Sequence, residues 1–378
     1  MCSSDLNIIS CSNAGTGAFI AISNTVAASA LNISGNVIRS NTISSATGSF
    51  TGINNSGAAT ASITISNNQF GNATGGLITF SVANSSSLIG INNTAGGAAA
   101  ALTIQANDFR GITNSVQGTG SHTYISNSAA TLSQNISTNT FTNLTANITS
   151  PGGNVTFISN GVTLPATGTK TINDNAIVGT YTKTGTGSGF LYFYYDIGSS
   201  VAGAIITNDG NNFSNITITG AITLGGWFNG DGNAAVPTKN ITNNTFNNVT
   251  GNTSSISLIQ VTNGAGNISG NTITNCATQN TVTGLAVTSG SFAIFSNNIN
   301  TLSSTVTTSM NVTGINISGG TTHNIRYNII HTLSSTALSN TVNGIVISSG
   351  TTINVYKNKI YGLSNTAALV SGGVYGSP

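Results

Sequence analysis

The stretch Thr313-Gly-Ile-Asn-Ile-Ser-Gly-Gly-Thr-Thr-His-Asn-Ile-Arg-Tyr-Asn-Ile-Ile-His-Thr-Leu333 is matched 30 residues later by Asn343-Gly-Ile-Val-Ile-Ser-Ser-Gly-Thr-Thr-Ile-Asn-Val-Tyr-Lys-Asn-Lys-Ile-Tyr-Gly-Leu363. In this alignment Asn328 lies over Asn358 and Ile330 over Ile360. A repeat of this length indicates one supersecondary unit stacked on copies of itself. The sequence therefore predicts a solenoid.

One short pattern, Asn-x-(Ile/Phe), recurs through the rest of the chain. Eleven of its copies follow one another at intervals of 26 to 39 residues. The copies begin at Asn36, Asn68, Asn107, Asn139, Asn175, Asn211, Asn244, Asn271, Asn297, Asn328 and Asn358. Eleven copies at these intervals predict about 11 to 12 coils of 26–39 residues.

The segments between the copies have the periodicity of β-strands. Apolar residues alternate with polar ones, as at Ile63/Ile65 and Leu102/Ile104, and Gly and Ser clusters separate the runs. No window shows the 3.6-residue period of a helix. Strands that return in phase suit coils stacked about 4.8 Å apart, which gives a rod on the order of 50 Å long. We predict an all-β, single-stranded parallel β-helix that runs continuously over residues 7–378.

The recurrent asparagine has a physical reason to occupy the bends of such a coil. Its amide can donate one hydrogen bond to the asparagine of the next coil and accept another from the previous one. Asparagine also tolerates a left-handed backbone. We predict a structural asparagine ladder, clearest in the second half of the chain, at Asn244, Asn271, Asn297, Asn328 and Asn358.

Composition limits the classes of function. Only 4% of the 378 residues are charged, glutamate is absent, and the net charge is +2. A chain with so weak a field is not expected to bind nucleic acid, and no apolar run is long enough to span a membrane. Cys2, Cys11 and Cys276 are too scattered for a metal cluster, so we expect buried or partly buried free thiols and no metal or cofactor.

The chain ends and the composition suggest a fragment of an exported protein. Residues 1–6 do not form a signal peptide, and they resemble a non-native scar. Val374 reopens the repeat, and Pro378 comes before that coil closes. We expect a solenoid that is incomplete at both ends, from a secreted or surface-bound bacterial protein.

These repeats resemble the right-handed parallel β-helix repeats of the pectin-lyase-like superfamily, from about Ile20 to Val374. More narrowly, they are similar to Asn/Thr-rich surface repeat proteins of Bacteroidetes-type bacteria. The resemblance implies a right-handed coil. It is weak evidence for function, because enzymes, adhesins and tailspikes share the fold.

The region 178–238 is irregular and rich in aromatic residues. The two segments Gly189-Phe-Leu-Tyr-Phe-Tyr-Tyr-Asp-Ile-Gly198 and Gly226-Trp-Phe-Asn-Gly-Asp-Gly-Asn233 align on their glycines, which places Tyr195 over Trp227. Stacking inside a wider coil is the simpler interpretation, because aromatic residues dominate cores. The functional alternative is an exposed sugar-binding platform, and its candidate ligand-binding residues are Tyr192, Tyr194, Tyr195, Asp196, Trp227 and Asp231.

No catalytic set can be assigned. The Asp-Asp, Gly-His-Gly and Arg-x-Lys signatures of polygalacturonase-like relatives are missing, and no two of the six aspartates are adjacent. Asn229-x-Asp231-x-Asn233 has the spacing of half a calcium loop but lacks the distal Glu. The three histidines form no triad. The repeat alignment predicts contacts of Arg326 with Tyr356 and of His331 with Tyr361, a small basic and aromatic patch.

The sequence thus favours a non-catalytic extracellular stalk or adhesin, with weak binding of polysaccharides or cell-surface glycans as a further expectation. The alternative is a polysaccharide lyase or glycoside hydrolase of the same fold. The enzyme would require Asp196, Asp209 and Asp231 to converge within about 6 Å in a groove beside exposed aromatic residues. The sequence does not determine the oligomeric state.

Overall fold

The computed structural model describes residues 8–149, 153–186, 188–220, 222–234, 236–305, 310–336 and 341–365. These residues form a right-handed parallel β-helix without any α-helix, as predicted. No helix long and apolar enough to cross a membrane occurs in this part of the chain. The proposed scar at 1–6, Cys2 and the last residues up to Pro378 lie outside the described ranges.

Each coil contributes one strand to each of three sheets, and all the strand pairs that join coils are parallel. Sheet 1 contains Phe19–Asn24, Phe50–Asn55, Leu88–Asn93, His122–Asn127, Val155–Ser159, Phe190–Asp196, Thr223–Asn229, Ile256–Val261, Val282–Val287, Val312–Ile317 and Val342–Ile347. Sheet 2 contains Ala28–Ser34, Ala59–Ser66, Ala101–Gln105, Ser133–Ser137, Thr169–Asn173, Ile205–Asp209, Thr238–Thr242, Ala265–Ser269, Ser291–Phe295, Thr322–Arg326 and Thr352–Tyr356.

Sheet 3 follows the bend at each recurrent asparagine. It contains Ile8–Ile9, Val37–Ile38, Gln69–Phe70, Asp108–Arg110, Thr140–Asn147, Ala176–Thr184, Ile216–Ile218, Thr245–Thr250, Thr272–Thr278, Asn298–Ser304, Ile329–Ser335 and Lys359–Asn365. In the first coils a separate four-stranded sheet follows it, made of Ser12–Asn13, Asn41–Ile43, Ile78–Phe80 and Ile112–Asn114. The 11, 11 and 12 strands of the three main sheets confirm the predicted number of coils.

The asparagine ladder connects sheet 2 to sheet 3 and is confirmed at all eleven predicted positions. The Nδ2 of each residue donates to the Oδ1 of the next, at 2.8 to 3.0 Å. The same Oδ1 accepts the backbone N–H of the preceding rung, as in Asn107 to Asn139 at 3.1 Å. The ladder thereby satisfies buried polar groups of the bend without any charge.

The left-handed backbone lies one residue before each ladder asparagine, and the prediction that the asparagine itself adopts it is wrong. The preceding residue has a φ of 52° at Ala106, 55° at Thr138 and 56° at Tyr327. A side chain in this conformation costs roughly 1–2 kcal/mol, so the bend is set by the bonded ladder rather than by backbone preference.

Aliphatic and aromatic residues fill the interior of the coil in stacks. The position two places after each ladder asparagine is buried from Ile38 to Ile330, and it includes the parallel rings of Phe70 and Phe109, 4.5 Å apart. In the part of the chain that the structure describes, register shifts between neighbouring strands are confined to three pairs. The variation in coil length therefore lies mainly in the loops, and the sheets stay in register.

Candidate functional site

The aromatic coils pair differently from the glycine alignment. Tyr194 pairs with Trp227, and Tyr195 pairs with Phe228. The register shifts on both sides of Tyr192, which an alignment without gaps cannot contain. The prediction that Tyr195 lies over Trp227 is therefore wrong by one residue, and a shift of one residue exchanges the buried and the outward face.

Four of the six candidate ligand-binding residues are inside the coil. Tyr194, Asp196, Trp227 and Asp231 have no exposed surface, so a ligand on the outside of the helix does not reach them. The rings of Tyr194 and Trp227 are 4.9 Å apart, and the Trp227 indole donates to Asn208 Oδ1 at 3.2 Å. This agrees with the simpler interpretation, stacking within a wide coil.

The other two candidates, Tyr192 and Tyr195, remain at the surface of sheet 1. Together with Phe190 and Phe228 they form what we call the aromatic patch. Phe190 is 43% exposed, and its ring is nearly parallel to that of Tyr192 at 5.5 Å. The rings of Tyr195 and Phe228 are stacked at 5.6 Å across two coils. The patch is a neutral cluster of partly exposed aromatic rings, a type of surface that stacks on sugar rings, and ligand binding there stays a prediction.

Two candidate carboxylates converge, but they do so on a buried lysine. Lys170 Nζ lies 2.9 and 3.0 Å from the two oxygens of Asp196 and 2.6 Å from Asp231 Oδ2, and all three side chains have no exposed surface. The Tyr194 hydroxyl donates to Asp196 at 2.7 Å. Ser200 donates its backbone N–H and its hydroxyl to Asp231, both at 2.7 Å. We call Lys170, Asp196 and Asp231 the buried triad.

The pKa values of the two carboxyl groups of the buried triad shift in opposite directions. Burial raises the pKa of Asp196 and outweighs the attraction of Lys170. Burial also acts to raise the pKa of Asp231, but the charge and hydrogen bond of Lys170 and the bonds from Ser200 lower it overall. Asp196 therefore tends toward the neutral acid and Asp231 toward the carboxylate.

A second asparagine ladder, which the sequence analysis missed, leads into this site. At the corner between sheets 1 and 2 each Nδ2 donates to the Oδ1 of the next coil at 2.7 to 2.8 Å. Its rungs are Asn24, Asn55, Asn93, Asn127 and Asn160. An Ile-x-Asn pattern at the end of the first five sheet 1 strands is the sequence signal for it.

The remaining candidate groups do not join the triad. Asp209 lies on the outer face of sheet 2, where Thr242 and Asn243 donate to it at 2.5 and 2.9 Å. The described residues contain no group of three metal-ligating side chains, and Asp231, the centre of the half calcium motif, is bonded to Lys170. A surface depression of about 370 Å³ between Thr219 and Thr278 is lined by neutral residues.

The basic and aromatic patch of the last coils is partly as predicted. His331 stacks on Tyr361 with ring centroids 4.8 Å apart. Arg326 is in register with Tyr356, but its guanidinium lies over Phe295 of the preceding coil, 4.7 Å from the ring. The predicted cation–π partner is therefore wrong, because the side chain extends toward the neighbour on the other side.

The two described cysteines are free, as expected. Cys276 is buried, as expected, but Cys11 is exposed, so the expectation of burial is wrong for Cys11. Burial raises the pKa of the Cys276 thiol to about 12, so the thiol is protonated and unreactive at neutral pH.

Comparisons with family models, with curated proteins and with solved structures find no match to this chain.

Proposed function

We propose that the chain is a non-catalytic segment of an extracellular β-solenoid, which serves as a stalk or adhesin of a secreted or surface-bound bacterial protein. The observation that carries the proposal is the position of its ionisable cluster. The buried triad is enclosed in the core, while the three sheets run through all described coils. The proposed kinship with pectin-lyase-like repeats and with Bacteroidetes-type surface proteins is supported by the ladder and the three-sheet coil.

The outer surface supports an adhesive rather than a catalytic role. On sheet 2 the central outward position is Asn, Thr or Ala in every coil, in register from Thr64 through Asn135 and Thr207 to Asn354. Some of these amides are linked across coils, as Asn354 to Asn324 at 2.9 Å. Such rows of side chains can form many weak, repeated hydrogen bonds. The overall affinity rises when one long ligand binds to several of them at once.

We propose that the aromatic patch is the place where a glycan stacks. Stacking of bases on aromatic side chains contributes about 1–3 kcal/mol per ring, and we expect a similar order for a flat sugar face. The alternative, a polysaccharide lyase or glycoside hydrolase, requires Asp196, Asp209 and Asp231 to converge in a groove. In the described residues they do not, since Asp209 is on the outer surface while Asp196 and Asp231 are inside the coil.

A panel of neutral and acidic polysaccharides tests the proposal. The variant Tyr192→Ala/Tyr195→Ala should lose saturable binding, while Tyr327→Ala/Tyr356→Ala, which removes two tyrosines of the last coils, should keep it. Binding that both variants keep would contradict the role of the aromatic patch. Release of new sugar ends from any polysaccharide would overturn the non-catalytic assignment.

A further inference from the structure

The buried triad joins three successive coils at one point in the core. Lys170 belongs to sheet 2 of one coil, Asp196 ends the sheet 1 strand of the next, and Asp231 follows the sheet 1 strand of the coil after that. The amine is almost equally distant from both Asp196 oxygens, at 2.9 and 3.0 Å, and therefore lies midway between them, next to the carboxyl carbon that carries both. A nucleophile and an electrophilic carbon are thus held together in a dry site.

Asp196 occupies the place of a ladder asparagine without acting as one. It lies one coil after Asn160, at the next position of the second ladder, and it pairs with Asn229 of the following coil. Asn160 Nδ2 and Asn229 Oδ1, on either side of it, are buried atoms without a hydrogen-bond partner. An asparagine at position 196 could form hydrogen bonds with both neighbours. Asp196 contacts Lys170 instead, so the ladder lacks these two hydrogen bonds.

We infer that Lys170 and Asp196 become joined by an intramolecular isopeptide bond, with Asp231 as the base that moves the protons. This inference does not depend on the proposed function. The reaction needs no oxidant, metal or cofactor, because an amide and water form from an amine and a carboxylic acid.

The groups around the triad can carry each step. Asp231 accepts a proton from the Lys170 ammonium, and the free amine attacks the carboxyl carbon of Asp196. The Tyr194 hydroxyl, 2.7 Å from Oδ2, and the backbone N–H of Gly198, 3.2 Å from Oδ1, donate to the oxygens on which negative charge develops. Asp231 then passes its proton to the departing hydroxyl, which leaves as water, and retains the second proton of the amine.

The environment favours both the rate and the equilibrium of this reaction. Reacting groups held in a productive orientation reach effective concentrations of about 10⁵–10⁸ M. In water the charged amine and carboxylate are stabilised by hydration, whereas in an apolar core the charged forms are costly and the neutral amide is favoured. The pKa shifts act in the same sense, because a raised pKa favours the neutral acid at Asp196 and a lowered pKa favours the carboxylate form of Asp231.

Mass spectrometry of the intact, denatured chain tests the inference directly. We expect the chain to be lighter than its sequence by one water molecule, with a fragment after proteolysis that joins the peptide of Lys170 to that of Asp196. Lys170→Met and Asp231→Asn should restore the full mass. Lys239→Met, which removes another fully buried lysine from the same inward rank, should keep the loss of water.

Two results would overturn the inference. One is a wild-type chain of full mass after prolonged incubation at neutral pH, which would leave the triad as a salt bridge only. The other is a loss of water located within a single peptide, since Asp209-Gly210 and Asp231-Gly232 could cyclise to succinimides. Succinimides are opened by mild alkali, whereas the isopeptide bond survives it. The wild-type measurement does not depend on whether any variant folds.

Discussion

Replacement of Asn139 by alanine tests how much the asparagine ladder stabilises the solenoid. Its Nδ2 donates to Asn175 Oδ1 and to the carbonyl of Ile104, both at 2.9 Å. Its Oδ1 accepts the backbone N–H of Asn107 at 3.1 Å and the Nδ2 of the same residue at 3.0 Å. All four bonds lie in the buried bend and disappear together.

The expected loss follows from this count. A buried hydrogen bond contributes about 1 kcal/mol net, so four bonds amount to about 4 kcal/mol of unfolding free energy. The backbone N–H of Asn107 is also left without an acceptor. Native-state hydrogen exchange at this amide reports the change locally, and about 4 kcal/mol corresponds to roughly a thousandfold faster exchange.

The control is Asn267→Ala. Asn267 is exposed on sheet 2 and donates one bond to Asn240 at 3.1 Å, so its loss should change stability by no more than about 0.5 kcal/mol. If exchange at Asn107 rises less than tenfold in Asn139→Ala, or if the two variants lose equal stability, the ladder does not stabilise the bend as argued.

Three further predictions concern buried ionisable groups and the bend. Burial lowers the pKa of His122 to about 4, so the unfolded chain binds more protons than the folded chain between about pH 6.5 and 4. As the pH falls through this window, the free energy of unfolding should decrease by about 3 kcal/mol. His122→Leu should flatten this part of an acid-unfolding curve. Burial lowers the pKa of Lys239 from 10.5 to about 7. Between pH 7 and 10.5 the unfolded chain therefore binds more protons, and the free energy of unfolding should rise with pH. Lys239→Met should abolish this pH dependence and stabilise the fold most below pH 7. Ala106 has a φ of 52°, so Ala106→Gly should raise the free energy of unfolding, measured in urea, by about 1 kcal/mol. Ala101→Gly, in a sheet 2 strand, should lower it by about 0.5–1 kcal/mol.

The sequence was sufficient to predict the fold because its determinants are local and repeated. Each coil contains one Asn-x-(Ile/Phe) copy at its bend, and each copy specifies both a rung and a core residue. The second ladder has a weaker signal, since its Ile-x-Asn pattern changes to Tyr-Tyr-Asp at Asp196. In the later coils the same position is Val or Ile, as at Val261 and Ile317, so the pattern covers only part of the chain.

The interior of the aromatic coils could not be predicted in the same way. The exchange of Tyr194 for Tyr195 in the core follows from register shifts, which depend on how neighbouring strands pair. The burial of Lys170 has a different cause. Lysine is expected at the surface unless it is paired, and its partners are 26 and 61 residues away. No local pattern connects residues at such separations.

The positions of the charges also bear on the proposed bond. Three of the five lysines, Lys170, Lys183 and Lys239, and two of the five aspartates that the structure describes have no exposed surface. Enclosing an ion costs several kcal/mol even after the surroundings relax, and a salt bridge recovers that cost only with excellent geometry. As a salt bridge, the triad would impose this cost on the middle coils of a solenoid with few charged residues whenever they fold. Amide formation would remove the two opposite charges, because Lys170 becomes an amide and Asp231 retains a proton. The same contacts would then join neighbouring coils covalently, in the region where register shifts leave the sheet least regular.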